Sequence, residues 1–169
     1  NIGYPVMLKA VAGGGGKGMR IIKKASEAEK GFNLIQNEAG MAFNSSEIYV
    51  EKFVENGRHI EVQILSDSFG NHLHLGEREC SIQRSNQKLI EECPSPFVDN
   101  DMREKLTSKS IELAKKVNYV GVGTIEFLVD KDKNFFFIEM NTRIQVEHTV
   151  TEMVFMIDLV KAVSYTHLR

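Results

Sequence analysis

Hydrophobic and polar positions along the chain follow strand and helix periods in turn. Short runs in which apolar, β-branched residues alternate with polar ones predict strands. The predicted strands cover residues 6–11, 20–23, 48–54, 59–65, 72–75, 124–129 and 135–141. Apolar residues three and four positions apart predict helices over about 27–43, 102–117 and 151–163. Strands joined by polar turns, with helices between them, favour an α+β fold built around antiparallel sheet.

Polar residues also mark where two of the helices begin. Ser26 and Glu29 have the spacing of a capping box, in which each side chain bonds the backbone of the other residue. Asp99, Asn100 or Asp101 is expected to cap the second helix. These signals predict starts near residue 27 and residue 100.

Composition narrows the kind of protein. The 42% hydrophobic and 26% charged residues are typical of a globular domain, and 169 residues suffice for one domain or two smaller lobes. No apolar run approaches the roughly 18–20 residues that span a bilayer, and no signal peptide is visible, so we expect no membrane partner. A net charge of −2 argues against nucleic-acid binding. Cys80 and Cys93 form no C-x-x-C pair, which favours free thiols and a cytoplasmic location.

A glycine-rich loop joins the first two predicted strands, with Lys17 and Gly18 after four consecutive glycines. Glycine leaves the backbone N–H groups open to close approach, so such a loop can wrap phosphate oxygens. It lacks the spacing of a Walker A motif, and a surface turn is the alternative interpretation. Lys9, in an otherwise apolar strand just before the loop, needs an anion partner and favours the phosphate interpretation.

Two glutamates fall opposite each other in the last predicted hairpin. If residues 131–134 form its turn, Asp130 pairs with Phe135 and Glu126 lies opposite Glu139. Neighbouring apolar residues predict that both strands are largely buried. Asn141 shares the face, and oxygen ligands of this kind favour Mg²⁺ or Mn²⁺. Solvated glutamates on an exposed face are the alternative.

Polar side chains continue at alternate positions beyond this hairpin. If the chain stays extended, residues 139, 141, 143, 145 and 147 share one face, and they are Glu, Asn, Arg, Gln and Glu. A solvated edge strand is the alternative. A cation, candidate metal ligands and a potential general base in one row instead suit chemistry on a small anion.

These motifs together resemble the biotin carboxylase branch of the ATP-grasp superfamily, from Ile2 to about Lys161. The resemblance rests on Lys9-Ala10, the glycine loop through Met19, Glu51-Lys52-Phe53, residues 58–63, residues 78–84, Gln87-Lys88 and residues 139–148. It implies an ATP-grasp fold, with a glycine-loop lid lobe and an antiparallel-sheet lobe with helices, truncated at both ends. The expected divisions are a lid subdomain over 1–54, a catalytic subdomain over 55–161, and an atypical, possibly foreign tail over 162–169.

The resemblance also implies an activity: carboxylation of biotin by bicarbonate through carboxyphosphate, driven by ATP with Mg²⁺ or Mn²⁺. The residues that match the nucleotide site are Lys9, Gly15, Gly16, Met19, Glu51, Lys52, Val54, His59, Gln83, Asn86, Leu128 and Ile138. Asn86 stands where many relatives have histidine. Lys88, Arg143, Gln145 and Val146 match the bicarbonate and biotin site, and Glu147 matches the base that deprotonates bicarbonate. Glu126 and Glu139, supported by Asn141, match metal ligands, and Arg143 matches the group that stabilises the biotin enolate.

The implied partners are a biotin carboxyl carrier protein, a carboxyltransferase and further copies of the parent chain in a homo-oligomer. Two alternatives remain at this point. One is another ATP-grasp ligase, such as a carbamoyl-phosphate synthetase half, which departs from the string Arg143 to His148. The other is a nucleotide-binding fragment that is inactive alone.

Overall fold

The chain divides into two compact units. The computed structural model describes residues 2–13 and 18–167, and side chains up to residue 164. The first unit contains the residues up to Glu55 together with Arg84–Gln87, and the second contains Asn56–Gln83 and the residues from Lys88 onward. The strands are β1 Val6–Ala10, β2 Met19–Ile22, β3 Ile48–Lys52, β4 Arg58–Ser66, β5 His72–Arg84, β6 Gln87–Glu92, β7 Gly121–Val129 and β8 Phe135–Asn141. The helices are α1 Ala28–Phe43, α2 Asn100–Lys116, α3 His148–Phe155 and α4 Leu159–His167.

The first unit is a three-stranded antiparallel sheet in the order β2-β1-β3, with α1 packed against it. Leu8, Ile22 and Ile35 form its buried core. Gly31 lies on the buried face of α1, and a Cβ there would collide with Ile22. Glycine at this position therefore allows the helix to approach β2 closely.

The predicted capping box at the start of α1 is wrong. Ser26 lies inside a 3₁₀ turn, Ala25–Glu27, and the N-cap of α1 is Glu27, whose side chain makes no capping bond. Glu27 Oε2 instead accepts a hydrogen bond from the Lys23 backbone N–H at 3.2 Å. The Glu27 carboxylate thus accepts a hydrogen bond from the backbone that precedes the 3₁₀ turn, and it does not cap the backbone N–H groups of α1.

The second unit is a five-stranded sheet in the order β6-β5-β4-β7-β8, and α2 packs on one face. The core between helix and sheet consists of Ile60, Val62, Ile64, Val98, Met102, Leu106, Ala114, Ile125, Phe127 and Val129. Asp99 caps α2 as expected, because its carboxylate accepts the Met102 N–H at 2.9 Å. None of the described helices has the length and apolar character needed to span a bilayer.

Two expectations about the second half of the chain need correction, namely the single last helix and the burial of the last strand. The helix predicted over 151–163 is two helices, α3 and α4, which Met156 separates by adopting a left-handed φ of 53°. In the expected tail over 162–169, α4 runs as far as His167, and residues 168–169 lie outside the described part. Strand β8 is an edge strand: Phe137 is 55% exposed, whereas nearly all of β7 is buried.

Candidate active site

A row of four charged side chains crosses the second sheet in register. Arg78 on β5 pairs with Glu61 on β4, Glu61 pairs with Glu126 on β7, and Glu126 pairs with Glu139 on β8. These positions have the opposite parity to the apolar residues that face α2, so they lie on the other side of the sheet. Arg78 and Glu61 are fully buried and Glu126 is 5% exposed. One face of this sheet is therefore a hydrophobic core and the other holds buried charge.

Lys88 on β6 reaches into this row and binds three carboxylates. Its Nζ donates to Glu61 Oε2 at 2.5 Å, to Glu126 Oε1 at 2.8 Å and to Glu147 Oε1 at 2.6 Å. The three acceptors come from β4, β7 and the N-terminus of α3. An ammonium has three N–H donors, so each of them has a carboxylate acceptor. The arrangement brings together residues up to 86 positions apart in the sequence (61 to 147).

The charges in this cluster stabilise one another. Burial on its own would lower the pKa of the Lys88 ammonium, but Glu61, Glu126 and Glu147 together raise it well above its ordinary value. Burial would likewise raise the pKa of Glu126, but His59 and Lys88 lower it to about 2. Glu147 has a lowered pKa because its bond from Lys88 outweighs its burial. At neutral pH the cluster therefore holds the Lys88 ammonium beside the ionised carboxylates of Glu126 and Glu147.

Glu126 and Glu139 lie opposite each other, as predicted, but the turn that leads to them differs. Val129, rather than Asp130, pairs with Phe135. From this pair to the pair of Phe127 with Phe137, the strands are shifted by one residue from the predicted register. A bulge at Ile138 then restores the expected register. Beyond the bulge, Glu126 meets Glu139 and Thr124 meets Asn141.

The side chain of Asn141 links the two glutamates. Its Nδ2 lies 3.0 Å from Glu126 Oε1 and 3.5 Å from Glu139 Oε1. Glu139 is exposed because β8 is the edge strand, so the burial expected for this carboxylate is absent. Carboxylate and amide oxygens at the edge of a buried charged cluster have the chemistry of a magnesium or manganese site. The two carboxylates fit such an ion, whereas Asn141 turns its amide nitrogen toward them and its oxygen toward Arg143.

The row of polar residues after β8 is not an extended strand. β8 ends at Asn141, and the chain turns at Val146 and Glu147 into α3. Gln145 and Glu147 are nonetheless buried, and Gln145 Nε2 donates to Glu126 Oε1 at 3.1 Å. The turn, closed by the bond from His148 N to Gln145 O at 3.2 Å, directs these two side chains back toward Glu126 and Lys88. Gln145 and Glu147 therefore lie near Glu126 and Lys88, but the predicted extended row is wrong.

Arg143 and Val146 lie at the outer side of this segment. Arg143 is exposed, and its guanidinium lies 3.4 Å from Asn141 Oδ1 and 3.2 Å from the Ile144 carbonyl. The side chain of Val146 is 90% exposed. Leu128 and Ile138 are half-buried on β7 and β8. Leu128 pairs in register with His59, and Ile138 is the bulged residue.

His59 has a defined tautomer. Its Nδ1 lies 2.8 Å from Gln83 Nε2, which also donates to the Cys80 carbonyl at 2.8 Å. The Gln83 nitrogen can only donate, so Nδ1 is the acceptor and the ring proton is on Nε2. Nε2 in turn lies 2.9 Å from Glu126 Oε2, although outside good hydrogen-bond geometry. His59 thus presents its N–H side to the carboxylate that Lys88 also binds.

Several predicted nucleotide residues belong to the first unit. Lys9 on β1 is mostly buried, and its Nζ lies 2.6 Å from Glu51 Oε2, so a carboxylate from β3 is the anion partner that this lysine required. Lys52 ends β3, Val54 follows it and Met19 begins β2. The residues that flank the glycine loop are joined by a hydrogen bond from Ala10 N to Gly18 O at 2.8 Å. Gly15, Gly16 and Lys17 lie outside the described residues.

Asn86 lies in a two-residue turn between β5 and β6. Ser85 and Asn86 have positive φ angles of 51° and 63°. Two consecutive residues in this conformation are typical of the tight hairpin turns whose twist matches the strands, and asparagine tolerates that conformation well. The turn explains why asparagine is stable at this position. It also fixes where Lys88 lies at the start of β6.

Three buried residues of the cluster were not among the predicted site residues. They are Glu61, Gln63 and Arg78, and all three are at most 1% exposed. Glu61 and Gln63 alternate with the apolar residues of β4 and share the parity of His59. A strand that is apolar on one face and carries acid and amide groups on the other could have identified them. Arg78 opens the motif 78–84 on which the resemblance rests, but that motif does not reveal its partners, which come from distant segments of the chain.

Comparison with known proteins agrees with this architecture. The family described as "Carbamoyl-phosphate synthase L chain, ATP binding domain" matches residues 1–165. The chain is 59% identical over 159 residues to the biotin carboxylase of Nostoc sp.. It superposes with a TM-score of 0.93 on a Campylobacter jejuni biotin carboxylase complex with beta-gamma-ATP, at 52% identity over 96% of the chain. The TM-score is 0.94 against the biotin carboxylase domain of Hydrogenobacter thermophilus 2-oxoglutarate carboxylase, in complex with MgADP, ADP and bicarbonate, at 50% identity over 98% of the chain.

The fold is therefore that of an ATP-grasp domain, as the sequence motifs predicted. The chain belongs to the carbamoyl-phosphate synthase L chain ATP-binding domain family, and within it the resemblance to biotin carboxylases is confirmed. It spans 36% of the length of the Nostoc relative, 37% of the Campylobacter chain and 36% of the Hydrogenobacter chain.

Proposed function

We propose that this chain is the ATP-binding core of a biotin carboxylase, which uses MgATP to activate bicarbonate and then carboxylates biotin. The observation that carries the proposal is the contact of Lys88 with Glu61, Glu126 and Glu147 in one buried cluster. A fixed cation beside an ionised carboxylate can bind a small anion and take a proton from it. Both groups are ones that the family resemblance had assigned to bicarbonate.

In the first step, the Lys88 ammonium binds bicarbonate and the Glu147 carboxylate accepts its proton. A bicarbonate oxygen then attacks the γ-phosphorus of ATP, the bond to the β–γ bridging oxygen breaks, and ADP leaves. The products are carboxyphosphate and ADP. The bond from Lys88 keeps Glu147 ionised and holds its pKa low. When Lys88 turns to bicarbonate this bond weakens, so Glu147 becomes a stronger base as the substrate binds.

The nucleotide contacts are assigned by resemblance. Lys9, Gly15, Gly16 and Met19 would contact the phosphates, and Glu51, Lys52 and Val54 would lie along the adenine. His59, Gln83 and Asn86 would contact the nucleotide, with Leu128 and Ile138 beneath the base. Lys9 is an ammonium that is already paired with a carboxylate, so it would exchange or share that partner when phosphate binds.

Glu126, Glu139 and Asn141 would hold the magnesium or manganese ion. When bound, the ion neutralises negative charge on the ATP phosphates during transfer. Glu126 is suited to this role because its low pKa keeps it anionic at every physiological pH. Glu139 is exposed at the sheet edge and can turn toward an incoming nucleotide without losing buried contacts.

In the second step, carboxyphosphate breaks down to phosphate and carbon dioxide. The released phosphate accepts the proton of the biotin ureido nitrogen, and that nitrogen forms a bond to the carbon of carbon dioxide. Arg143 would stabilise the biotin enolate, and Gln145 and Val146 would contribute to the same site. The exposed guanidinium of Arg143 and the 90% exposed Val146 are accessible to a substrate carried by another protein. The proposed partners are a biotin carboxyl carrier protein, a carboxyltransferase and further copies of the parent chain.

A cytoplasmic location is also part of the proposal. Cys80 and Cys93 are both free thiols, as is usual in a reducing compartment. Fractionation of cells that produce the tagged protein would test it. Recovery in an organelle or in the membrane fraction would contradict it.

The test of function uses a hybrid enzyme, in which this chain replaces the matching 159 residues of the Nostoc biotin carboxylase. We expect ADP release that requires both bicarbonate and free biotin. The chain alone should not release ADP in this way, because carboxyphosphate survives only in a closed site that excludes water. A hybrid that requires ammonia or glutamine instead of biotin would favour carbamoyl-phosphate synthesis, to which the family description also refers.

A further inference from the structure

Arg78 is the largest fully buried side chain of the described residues, and it makes four hydrogen bonds at the back of the charged cluster. Its Nε donates to Glu61 Oε1 at 2.6 Å. One terminal nitrogen donates to Gln63 Oε1 and to Thr151 Oγ1, both at 2.7 Å, and the other lies 3.3 Å from Gln145 Oε1. Its partners lie on β4, on α3 and in the segment before α3. A single guanidinium therefore joins three parts of the second unit.

We propose that Arg78 is a positioning residue, which orients Gln145 and Glu61 and through them fixes the place of Lys88. The functional consequence of this proposal rests on the biotin carboxylase activity proposed above. The geometric part stands on the contacts of Arg78 alone.

The orientation of Gln145 follows from the chemistry of arginine. A guanidinium can only donate hydrogen bonds, so Gln145 must turn its Oε1 toward Arg78. Its Nε2 then points the opposite way and donates to Glu126 Oε1 at 3.1 Å. The Glu126 carboxylate can only accept, so it favours the same orientation of the amide. Arg78 anchors the oxygen end of Gln145, and together the two contacts hold its N–H toward the site.

The two carboxylate oxygens of Glu61 also accept hydrogen bonds from different partners. Oε1 accepts from Arg78 at 2.6 Å and Oε2 accepts from Lys88 at 2.5 Å. Glu61 is fully buried, and each of its two oxygens contacts a different cation. When Arg78 holds Oε1 of Glu61, the position of Oε2 is also set. Oε2 accepts from Lys88, so it determines where the Lys88 ammonium lies when it donates to Glu126 and Glu147.

The first test uses this chain by itself, with Arg78→Lys as the variant. Lysine keeps the charge but lacks the planar fork that reaches four acceptors. In nuclear magnetic resonance spectra of ¹⁵N-labelled wild-type chain, we expect two well-resolved Nε2 protons for Gln145. In Arg78→Lys we expect them to move toward the shifts of a solvated amide. An unchanged Gln145 amide in a folded variant would overturn the proposal.

Arg103→Lys is the matched control. Arg103 also binds a fully buried carboxylate, because its Nε lies 3.0 and 2.9 Å from the two oxygens of Glu77. The hydrogen bonds that the Arg103 side chain makes within the described residues end on Glu77, Asn100 and Val98, and not on Lys88 or Gln145. We expect it to lower stability without moving the Gln145 signals. If Arg78→Lys does not fold, Thr151→Val removes one acceptor of Arg78 and should move the same signals by a smaller amount.

The second test measures kinetics in the hybrid enzyme. Misplaced Lys88 and Gln145 should raise KM for bicarbonate about tenfold in Arg78→Lys, whereas KM for ATP changes little. Arg103→Lys should change neither constant selectively. Equal effects of Arg78→Lys on both constants would overturn the proposed role. A wild-type hybrid with no biotin-dependent activity would instead contradict the proposed function, and the Gln145 signals would still decide whether Arg78 positions this residue.

Discussion

Glu61 and Glu126 lie directly opposite each other on β4 and β7, and both carboxylates are buried. Like charges at opposed positions of a sheet repel. Lys88 resolves the repulsion by placing its ammonium 2.5 Å from one carboxylate and 2.8 Å from the other. Lys88 therefore offsets the repulsion between two buried acids that lie side by side in the sheet.

The first prediction concerns Lys88→Met in the isolated chain. The substitution leaves Glu61, Glu126 and Glu147 without their shared cation, and we expect a loss of about 3–5 kcal/mol in the free energy of unfolding. Urea unfolding followed by circular dichroism would measure it. The control is Lys109→Met, since Lys109 makes an ion pair with Glu112 at 2.7 Å on the exposed surface of α2. If Lys88→Met and Lys109→Met have the same free energy of unfolding, Lys88 does not stabilise the buried carboxylates as proposed.

The second prediction concerns acid. The pKa of Glu126 falls from 4.5 to about 2 on folding, so its ionised form stabilises the protein above the unfolded pKa. That contribution, about 3 kcal/mol, is lost as the pH falls from about 5 toward 2. Unfolding free energies measured across this range should decline less steeply in Glu126→Gln than in the wild-type chain. Parallel curves would show that Glu126 is not the group responsible.

The hairpin that carries Glu126 shows which features of the site could be predicted from the sequence and which could not. Turn residues and strand parity were sufficient to place Glu126 opposite Glu139. They could not predict the shifted turn or the bulge at Ile138, and the two deviations cancel at the glutamates. The buried face of β8 was predicted wrongly, because apolar residues are common on edge strands and no local pattern reveals which strand lies at the edge.

The cluster itself was predicted only in part. Lys88 and Glu147 were identified by resemblance, and the row of alternating polar residues correctly suggested that Gln145 and Glu147 lie near Glu126. The turn that brings them there was not visible, because it depends on packing of α3. Arg78 was missed, since nothing near it in the sequence indicates that partners on β4, before α3 and within α3 would meet around it.

The third prediction concerns the metal. Glu126→Gln and Glu139→Gln should each weaken Mn²⁺ binding in the presence of ADP, because an amide lacks the negative charge that attracts the cation. Only Glu126→Gln should also lower stability, since Glu139 is exposed. Electron paramagnetic resonance of free Mn²⁺ would give the affinities, with the exposed Glu112→Gln as the control. Unaltered affinity in both variants would remove these residues from the metal site.

The fourth prediction concerns Glu147→Gln in the hybrid enzyme. Glutamine preserves shape but cannot accept the proton of bicarbonate, so kcat should fall by roughly 10²–10⁴. KM for ATP should change little, because Glu147 lies beside Lys88 on the face assigned to bicarbonate. Steady-state kinetics with varied bicarbonate and ATP would separate the two effects. A variant that retains most of the wild-type kcat would exclude Glu147 as the base.

The most direct test of the central claim follows the oxygen atoms of bicarbonate in the hybrid enzyme. If a bicarbonate oxygen attacks the γ-phosphorus and carboxyphosphate then breaks down, one oxygen of bicarbonate must end in inorganic phosphate. With ¹⁸O-labelled bicarbonate, we expect biotin-dependent turnover to yield phosphate that carries one labelled oxygen, detected by mass spectrometry or by the isotope shift in ³¹P spectra. Phosphate that takes its new oxygen from water instead would contradict the account.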